Sequence, residues 1–313
     1  MEKTRIASIV VTYNRKNLLL KNLKALINQT ESLDSIIIVD NLSTDGTPQL
    51  LYENNLIKYL PTEFPEVDEM QSKLILSDSN NPIEICYYRR KVNDGGSGGF
   101  YFGMNEGVKK GFDWLWIMDD DAIPEENSLE ELKKYLNVKV SGLCSTVIDS
   151  NGNIDIKHRS YILKKRLKIN TIPIPLEKYE KDRIIEIEIA SYVGFLINTK
   201  AIAKVGLPKY NFFIFYDDTE HSLRLQKYGP ILLIPSSRII HLAPVVKSAS
   251  MSDNWKIYYQ YRNRLKTISD HFGIKYLLIF KIEIIIKIII SFVLRKRAYS
   301  NMLRKALADY KKI

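Results

Sequence analysis

Three consecutive aspartates, Asp119, Asp120 and Asp121, are the residues of this chain with the clearest chemical potential. They lie in the stretch Trp114–Pro124, WLWIMDDDAIP, where an apolar run typical of a buried strand ends abruptly. Side chains alternate along an extended backbone, so Asp119 and Asp121 are predicted to point the same way and to repel each other unless a cation lies between them. Such oxygen ligands suit Mg²⁺ or Mn²⁺, which bind diphosphates. The alternative is an acidic turn that caps the next helix, and the triplet alone leaves both open.

A second acidic pair, Asp217 and Asp218, lies in the stretch Asn211–Arg224, NFFIFYDDTEHSLR. An aromatic run leads to these two carboxylates at the start of a predicted amphipathic helix. The local sequence favours a simple structural role, in which Asp217 is the N-cap and Glu220 completes a capping box. The alternative is a pair of carboxylates that belongs to a functional site.

The first third of the chain predicts the elements that would position these residues. Ile6–Val11 is a short β-branched run typical of a buried parallel strand, and Ile36–Val39 is a second one. An amphipathic helical pattern lies between them, so we predict an α/β fold with a mostly parallel sheet flanked by helices. Ligands bind at the carboxyl ends of such strands, which makes Asn14 and Asp40 site candidates.

Two weaker signals add to this pattern. The glycine-rich stretch Asn93–Phe100, NDGGSGGF, would let a backbone approach a ligand, and the helix predicted over Phe100–Lys110 would direct its N-terminus at an anion. It is neither a Walker loop nor a spaced GxGxxG fingerprint, so its position one helix before the aspartates is what makes it a candidate. His241 ends a strand-like run and becomes a candidate metal ligand if that end faces a metal site.

Composition limits the class of protein. The 313 residues can form one large domain, or one domain with an appendage. The formal charge of +10 implies an anionic partner, either nucleic acid or an acidic membrane surface. Cys86 and Cys144 are the only cysteines and form no CxxC pair, so neither a disulfide framework nor a zinc site is indicated. The first eleven residues lack the pattern of a signal peptide, and a cytoplasmic location is expected.

Two stretches carry no predicted chemistry. Tyr52–Asn81 is irregular and holds Pro61 and Pro65, and we interpret it as an insertion, about residues 52–82, with room for a short helix. Asn151–Asp182 is basic and irregular, and we interpret it as a surface excursion.

The C-terminal segment differs in character from the rest of the chain. Between Tyr276 and Leu294 nearly every residue is apolar, but three charges interrupt the run, which argues against a transmembrane span. Polar residues recur there every four positions and predict one stripe along a helix: Glu283, Lys287, Ser291 and Arg295. An apolar helix with a narrow polar stripe and a basic tail favours the surface of an anionic membrane. Packing on the main domain or on a second subunit is the alternative.

Five motifs, in this order, resemble those of the inverting family 2 glycosyltransferases: VVTYNR (Val10–Arg15), VDNLSTDGT (Val39–Thr47), NDGGSGGF (Asn93–Phe100), MDDDAIP (Met118–Pro124) and FYDDTEHSLR (Phe215–Arg224). Each motif alone is weakly specific, whereas five in order are quite specific. The resemblance covers about residues 5–245. It is strongest to bacterial galactofuranosyltransferases, with rhamnosyltransferases of the same family second.

The resemblance implies a GT-A fold, which we assign to residues 1–247. The helical, membrane-associating segment inferred above then covers residues 248–313. The resemblance also implies Mn²⁺ or Mg²⁺ as the cofactor and a UDP-sugar as the donor, with Asp40 accepting from the uracil N–H. The motifs place donor-binding residues at Thr12, Tyr13, Asn14, Arg15, Asp40, Asn93, Gly96, Gly98, Gly99 and Asp120. They place metal ligands at Asp119, Asp121 and His241, and catalytic residues at Asp218, the base, and Asp217.

Two departures from the family pattern leave the transferred sugar open. Tyr192–Phe195 stands where galactofuranosyltransferases often carry tryptophans, and the insertion after Tyr52 is unusually long. The expected acceptor is a hydroxyl of a lipid-linked or cell-surface glycan at the inner face of the cell membrane. Self-association is left open.

Three other classes of protein fit the residues less well. A Mg²⁺-dependent phosphatase would place its nucleophilic aspartate after the first strand, where this chain has Thr12–Asn14. A sugar nucleotidyltransferase would place its glycine-rich loop there. A nucleic-acid binder would explain the charge, but its carboxylate clusters would repel phosphate, so no nucleic-acid partner is expected.

Overall fold

The computed structural model describes residues 3–76, 81–165, 167–180, 183–242 and 254–313. Their strands are β1 (Ile6–Thr12), β2 (Ser35–Asp40), β3 (Glu69–Leu76), β4 (Pro82–Arg89), β5 (Trp114–Asp119), β6 (Ala122–Pro124), β7 (Gly142–Ile148), β8 (Arg159–Lys165), β9 (Lys168–Pro173), β10 (Ile185–Ile187), β11 (Ile189–Ala190), β12 (Phe195–Asn198) and β13 (Ile231–His241). Their α-helices are α1 (Lys16–Ile27), α2 (Thr47–Glu53), α3 (Gly95–Lys109), α4 (Ser128–Lys133), α5 (Thr199–Val205), α6 (Asp217–Leu225), α7 (Asn254–His271), α8 (Ile274–Val293) and α9 (Arg297–Asp309).

Most of these strands form one mixed sheet in the order β10-β13-β7-β12-β5-β1-β2-β4-β3, with β6 paired to β13 beside this path. β5, β1, β2 and β4 form a parallel block, and β13 is parallel to β7, whereas the remaining pairs are antiparallel. β1 and β2 are buried along their whole length because both faces of the sheet are covered, which explains their unbroken runs of apolar residues. The predicted α/β class is confirmed.

The two faces of the sheet carry two separate hydrophobic cores. Val10 of β1 belongs to the same core as Leu19 and Leu23 of α1. Ile9, its neighbour in the strand, belongs to the other core, with Met104 of α3. Successive side chains of a strand point to opposite faces, so one strand anchors both layers and brings its polar carboxyl end to a fixed place between them.

α3 begins at Gly95, five residues earlier than predicted, so most of the glycine-rich stretch is helical rather than a loop. Its glycines serve close packing. A Cβ at Gly99 would lie 2.6 Å from Val11 Cγ1, and one at Gly107 would lie 2.6 Å from Leu115 Cδ2. The absence of side chains therefore lets α3 approach β1 and β5 closely.

The two stretches interpreted as irregular contain strands. Part of Tyr52–Asn81 is β3, which pairs antiparallel with β4 at an edge of the sheet, and residues 54–76 contain no helix. Part of Asn151–Asp182 is the hairpin of β8 and β9, which joins β11 in a three-stranded sheet. The irregular interpretation was wrong because only one residue of β3 and none of β9 is buried, so neither strand has the apolar pattern of a buried strand.

The C-terminal helices α7, α8 and α9 share an apolar core that includes Leu265, Phe280, Ile284 and Leu303. The predicted helical character of this segment is confirmed, while the predicted boundary between residues 247 and 248 falls outside the described residues. Among the helices that the structure describes, none combines the length and the apolar character that a membrane crossing requires.

Candidate active site

A cavity of about 730 Å³ opens at the carboxyl ends of β1 and β5 and extends to the start of α6. The predicted site residues that line it are Thr12, Tyr13, Arg15, Asn93, Gly96, Asp119, Asp120, Asp217 and Asp218. The structure thus brings the two acidic groups, which are almost 100 residues apart in the chain, to one cavity. A second cleft, of about 740 Å³, lies at the amino ends of the same strands around Arg5 and Asp113, and it contains none of these residues. Ligands of open α/β sheets bind at the carboxyl ends, which favours the first cavity.

The aspartate triplet lies where the chain leaves β5 and turns into β6. The predicted alternation of Asp119 and Asp121 along one strand was wrong, because the extended backbone ends at Asp119. Basic side chains contact the turn from two other elements. Arg15 Nη1 lies 2.5 Å from Asp121 Oδ2, and His241 Nε2 lies 3.3 Å from Asp121 Oδ1. Asp121 and His241 adjoin the cavity without lining it.

Burial and crowding perturb the acidity of all three aspartates. Burial, together with the charges of Asp121 and Asp120, raises the pKa of Asp119 to about 7. Burial raises the pKa of Asp120 to about 6, although Thr12 Oγ1 donates a hydrogen bond of 2.7 Å to its Oδ2. Burial opposes ionisation of Asp121 as well, but contact with His241 and the other nearby cation outweighs it and lowers its pKa. The triplet is a buried concentration of negative charge that a cation would stabilise.

The residues around the triplet fit a divalent cation. Asp121 Oδ1 is buried without a hydrogen-bond partner, and the His241 imidazole is beside it. Mg²⁺ and Mn²⁺ accept such ligands, and Mg²⁺ sites often combine one or two carboxylates with substrate phosphates. No group of three or more His, Cys, Asp or Glu side chains in the described part of the chain is arranged to hold a metal by itself. The metal roles of Asp119, Asp121 and His241 therefore stay predictions, and Asp121 with His241 is the best-placed pair.

Asp217 and Asp218 occupy the first turn of α6 and line the same cavity. The predicted N-cap is absent: Tyr216 precedes the helix with a left-handed φ of +67°, and no side chain caps it. The ion pairs at α6 reach Glu220 but, among the described residues, neither Asp217 nor Asp218. Burial and the charge of Asp218 raise the pKa of Asp217, and burial raises that of Asp218, although Thr219 donates hydrogen bonds to it. A carboxylate whose pKa is raised is a stronger base than an ordinary aspartate.

Glu220 does not close the predicted capping box, because its carboxylate is engaged elsewhere. Its Oε2 lies 2.8 Å from Arg224 Nη2, and its Oε1 lies 3.0 Å from His271 Nε2 of α7. Arg224 also donates hydrogen bonds to the carbonyl oxygens of Val205 and Leu207. Burial opposes ionisation of Glu220, but His271 and Arg224 outweigh it and lower its pKa to about 2. Glu220 is therefore a structural carboxylate that ties α6 to its neighbours.

Asp40 is fully buried and does not line the cavity, so its implied contact with a nucleobase stays a prediction. Its Oδ2 accepts hydrogen bonds from Tyr87 (2.6 Å) and Arg89 (2.9 Å), and its Oδ1 accepts one from the backbone N–H of Ser43 (2.8 Å). Both oxygens are thus occupied inside the fold. Asn41, the next residue, lines the cavity instead and has a buried Oδ1 without a hydrogen-bond partner.

Three other predicted donor-binding residues also lie off the cavity. Asn14 joins two turns, since its Oδ1 accepts a hydrogen bond of 2.6 Å from Thr44 N and its own N–H donates to Ser43 Oγ. Gly98 and Gly99 lie inside α3, where a Cβ at either position would clash with neighbouring side chains. In this structure Asn14 stabilises the turns, and Gly98 and Gly99 allow α3 to pack closely on its neighbours.

Local sequence patterns missed several residues at the site. Ser97, Tyr192, Phe215 and Trp255 line the cavity without having been predicted. Arg159 is fully buried and donates to the carbonyl oxygens of Ser145, Ser191 and Val193, and its charge moderates the raised pKa of Asp218. These three partners of Arg159 are 14 to 34 residues away in the chain, so no local pattern signals its place.

Comparison with known proteins gives one matching family model and several distant relatives. The model described as "Glycosyl transferase family 2" matches residues 8–65 and 69–205. Galactofuranosyltransferase GlfT1 of Mycolicibacterium smegmatis is 25% identical over 274 residues, which cover 83% of this chain and 81% of that protein. The dTDP-rhamnosyl transferase RfbF of Shigella flexneri is 23% identical over 240 residues, which cover 76% of this chain and 69% of that protein.

A solved structure supports the fold at the level of architecture. The crystal structure of GalNAc-T7 with UDP, GalNAc and Mn²⁺ superposes with a TM-score of 0.59 at 13% identity. The match covers 86% of this chain and 48% of that one, so this chain spans about half of that structure. The fold is therefore that of the GT-A nucleotide-sugar transferases.

Proposed function

The chain belongs to glycosyl transferase family 2, and on that premise we propose that it is an inverting transferase that moves galactofuranose from a UDP-sugar to a glycan hydroxyl. The observation that carries the proposal is the single cavity that joins the triplet at the end of β5 to the acidic pair at the start of α6. Transfer needs one group that neutralises the leaving diphosphate and another that activates the attacking hydroxyl. The cavity offers carboxylates at the triplet that would hold a cation for the first task, and carboxylates at α6 that can accept a proton for the second.

Asp218 is the proposed general base. Inverting transfer is a single displacement, in which the acceptor hydroxyl attacks the anomeric carbon while the nucleoside diphosphate leaves from the opposite side. A base within hydrogen-bond reach of that hydroxyl contributes roughly 10²–10⁴-fold. Burial strengthens Asp218 as a base, and Asp217 beside it keeps the pair short of full ionisation.

Residues at the triplet would hold the donor diphosphate. The guanidinium of Arg15 is about half exposed and points at the triplet, so it can contact both the carboxylates and an incoming phosphate. Asp121 and His241, with Asp119, would hold Mn²⁺ or Mg²⁺, which would neutralise charge on the departing diphosphate. Thr12 orients Asp120 through its hydrogen bond, which keeps that carboxylate directed at the cavity.

Galactofuranose is the proposed sugar because the matched motifs and the GlfT1 relative agree on it. The second candidate is rhamnose or another hexose from a dTDP- or UDP-sugar, which the RfbF relative supports. Tyr192 favours neither, since it is buried and its hydroxyl pairs with His221.

A donor screen tests the proposed function. We expect Mn²⁺- or Mg²⁺-dependent release of UDP from UDP-galactofuranose, with much slower release from UDP-hexopyranoses and dTDP-rhamnose. Preferred turnover of dTDP-rhamnose would replace the proposed sugar with the second candidate. Phosphate release from sugar phosphates without UDP release from any donor would overturn the proposed function.

We also propose that α8 binds the inner face of an anionic cell membrane, where a lipid-linked acceptor would be available. Three residues of the predicted polar stripe face the protein: Glu283 lies 3.9 Å from Lys168 Nζ, Lys287 donates to Tyr261, and Ser291 is buried. The fourth, Arg295, follows the end of α8 and is exposed. The outward face is apolar instead and exposes ten large side chains: Ile274, Leu278, Ile282, Ile285, Ile286, Ile289, Ile290, Phe292, Val293 and Leu294. The basic run from Arg295 to Arg297 follows directly, which fits acidic lipid headgroups.

Vesicle binding tests this surface. The triple variant Ile282→Glu/Ile286→Glu/Ile289→Glu should lose binding to phosphatidylglycerol-containing vesicles. The control Leu74→Glu, at an exposed position of β3, should bind them as the parent protein does. Unchanged partitioning of the triple variant would refute the membrane proposal. Loss of a dimer in the triple variant, without any vesicle binding by the parent protein, would assign the face to a second copy of the chain.

A further inference from the structure

The cavity has two chemically different ends. The end at the triplet is polar and charged, with Thr12 and Arg15 beside the aspartates, whereas the other end is lined by the aromatic side chains of Phe213, Phe215 and Trp255. Building on the proposed function, we propose that this aromatic surface binds the acceptor sugar, the saccharide ring that carries the attacking hydroxyl. Trp255 comes from α7, so the C-terminal helices would complete the active site.

The exposure of these side chains indicates a binding surface. Trp255 is 44% exposed and Phe215 is 40% exposed, although both lie at the wall of a cavity. The other two tryptophans of the chain, Trp114 and Trp116, are 4% and 0% exposed. Large aromatic side chains leave water when a partner is available, so their exposure beside functional carboxylates needs a ligand to explain it.

The aromatic surface is held rigidly. Phe213 and Phe215 have left-handed φ angles of +66° and +67°, which cost free energy for residues with side chains. Asn263 of α7 is fully buried, and its Nδ2 donates to the carbonyl oxygens of Phe212, Ile214 and Phe215 at 2.9 Å each. These bonds hold the aromatic turn in a strained shape, which is typical of a preorganised binding site.

Ring contacts add to this rigidity. Phe213 stacks on Tyr259 of α7 with ring centroids 5.0 Å apart, and Trp255 meets Phe213 edge-on at 6.2 Å. Tyr259 and Trp255 belong to α7, whereas Phe213 precedes α6, so these rings meet only in the folded chain. They form a surface that exists before any ligand binds.

A sugar ring is the occupant that fits this surface best. The C–H face of the ring can pack on the aromatic side chains, while hydroxyls at its edge reach Asp217 and Asp218. The anionic diphosphate of the donor is disfavoured beside Asp217 and Asp218, because these carboxylates would repel it, whereas the guanidinium of Arg15 contacts the triplet. Lys256 also lines the cavity, but its Nζ lies 5.8 Å from the centre of the Trp255 ring and, as a single charge, matches a diphosphate less well than Arg15 with a bound cation. The acceptor therefore occupies the aromatic end, with its nucleophilic oxygen between the two ends.

Kinetics of two substitutions at one position test the proposal. Trp255→Ala should raise the KM for an octyl glycoside acceptor about tenfold while changing the donor KM by less than about twofold. Trp255→Phe retains an aromatic face and should keep most of the acceptor affinity. Phe64→Ala removes an aromatic side chain that is 64% exposed and does not line the cavity, and it serves as the matched control.

Three outcomes would overturn the acceptor assignment. An unchanged acceptor KM in Trp255→Ala would show that the surface binds no acceptor. An equal rise in the donor KM would show that Trp255 stacks on the nucleobase. A rise for octyl glycosides but not for the corresponding methyl glycosides would show that the surface binds the lipid part of the acceptor.

A binding measurement separates this proposal from the proposed function. Trp255 is the exposed tryptophan, so its fluorescence should respond to methyl galactofuranoside and methyl rhamnoside in the parent protein and not in Trp255→Phe. Saccharide binding without transfer from any nucleotide sugar would sustain the aromatic site and refute the transferase assignment. Sugar transfer without any fluorescence response, and with an unchanged acceptor KM in Trp255→Ala, would sustain the transferase assignment and refute the aromatic site.

Discussion

Two acidic groups line one cavity and differ in what surrounds them. The triplet at the end of β5 contacts the cationic Arg15 and lies beside the imidazole of His241. Asp217 and Asp218 at the start of α6 contact no such partner in the part of the chain that the structure describes. Burial opposes ionisation in both groups, but only the triplet contains a carboxylate, Asp121, whose pKa is lowered.

This difference indicates which chemical task suits the triplet and which suits Asp217 and Asp218. A carboxylate held beside cations stays ionised and exchanges one positive partner for another, as a metal and diphosphate site requires. A buried carboxylate without a cation has a higher proton affinity, as a base requires. The same residue type therefore serves two purposes through its surroundings.

The largest expected effect comes from removing the proposed base. Asp218→Asn should lower kcat for transfer by roughly 10²–10⁴-fold, because the amide cannot accept the hydroxyl proton. UDP-sugar binding, measured by calorimetry, should stay near that of the parent protein. The exposed substitution Glu53→Gln is the control. Substantial turnover by Asp218→Asn would end the functional distinction between the two groups.

Glu220, the third carboxylate of α6, tests whether neighbouring cations, rather than burial, decide the direction in which the pKa of a carboxylate shifts. The folded pKa of Glu220 is about 2 against an ordinary value of 4.5, which corresponds to about 3 kcal/mol of stability at about 1.4 kcal/mol per unit. A lowered pKa stabilises the fold above pH 4.5, and this contribution is lost as the pH falls from 4.5 towards 2. Glu220→Gln should unfold more easily in urea at pH 7 and lose this pH dependence.

The exposed substitution Glu186→Gln provides the comparison for that measurement. Equal stability of Glu220→Gln and the parent protein at pH 7 would show that the contacts with Arg224 and His271 contribute nothing. In that case burial alone would govern the carboxylates of α6.

Substitution of Asp121 tests whether the triplet binds a metal ion together with the diphosphate. Asp121→Asn deletes the charge that faces Arg15 and His241, so UDP binding in the presence of Mn²⁺ should weaken by about 100-fold. Binding without the metal should change much less. Titration of UDP with and without MnCl₂ measures both affinities. Metal-dependent binding that is unchanged by the substitution would show that the triplet is a structural turn and not a metal site.

The smallest expected effect is a shift in the pH profile. The base must be ionised, so activity falls as the pH decreases through its raised pKa, and the acid limb of kcat/KM should lie above the usual range of aspartate. Asp217→Asn removes the second titrating carboxyl of the pair, which competes with Asp218 for the proton that the pair retains, and should move this limb downward by about one pH unit. An acid limb that stays in place would show that the two carboxylates do not titrate together.

Much of the fold followed from local patterns. The apolar runs of β1, β2 and β5 predicted buried strands because a strand covered on both faces needs apolar residues throughout. Strand ends then placed Thr12 and Asp119 at one edge of the sheet. The edge strands β3 and β9 escaped prediction because exposed strands follow no comparable pattern.

By itself the sequence determined the α/β class and the order of the motifs, including which carboxylates follow which strand. Only the tertiary structure decided which polar residue at a strand end faces the cavity. Asp40 is occupied by Tyr87 and Arg89, whose side chains lie 47 and 49 residues away in the chain, and Asn41 faces the cavity instead.

The tertiary structure also decided that α7 supplies Trp255 to the cavity and that the polar stripe of α8 faces inward. The physical reason is the same in each case. Local patterns report burial along one element, whereas the partners of a polar or aromatic side chain come from distant elements that meet only when the chain folds.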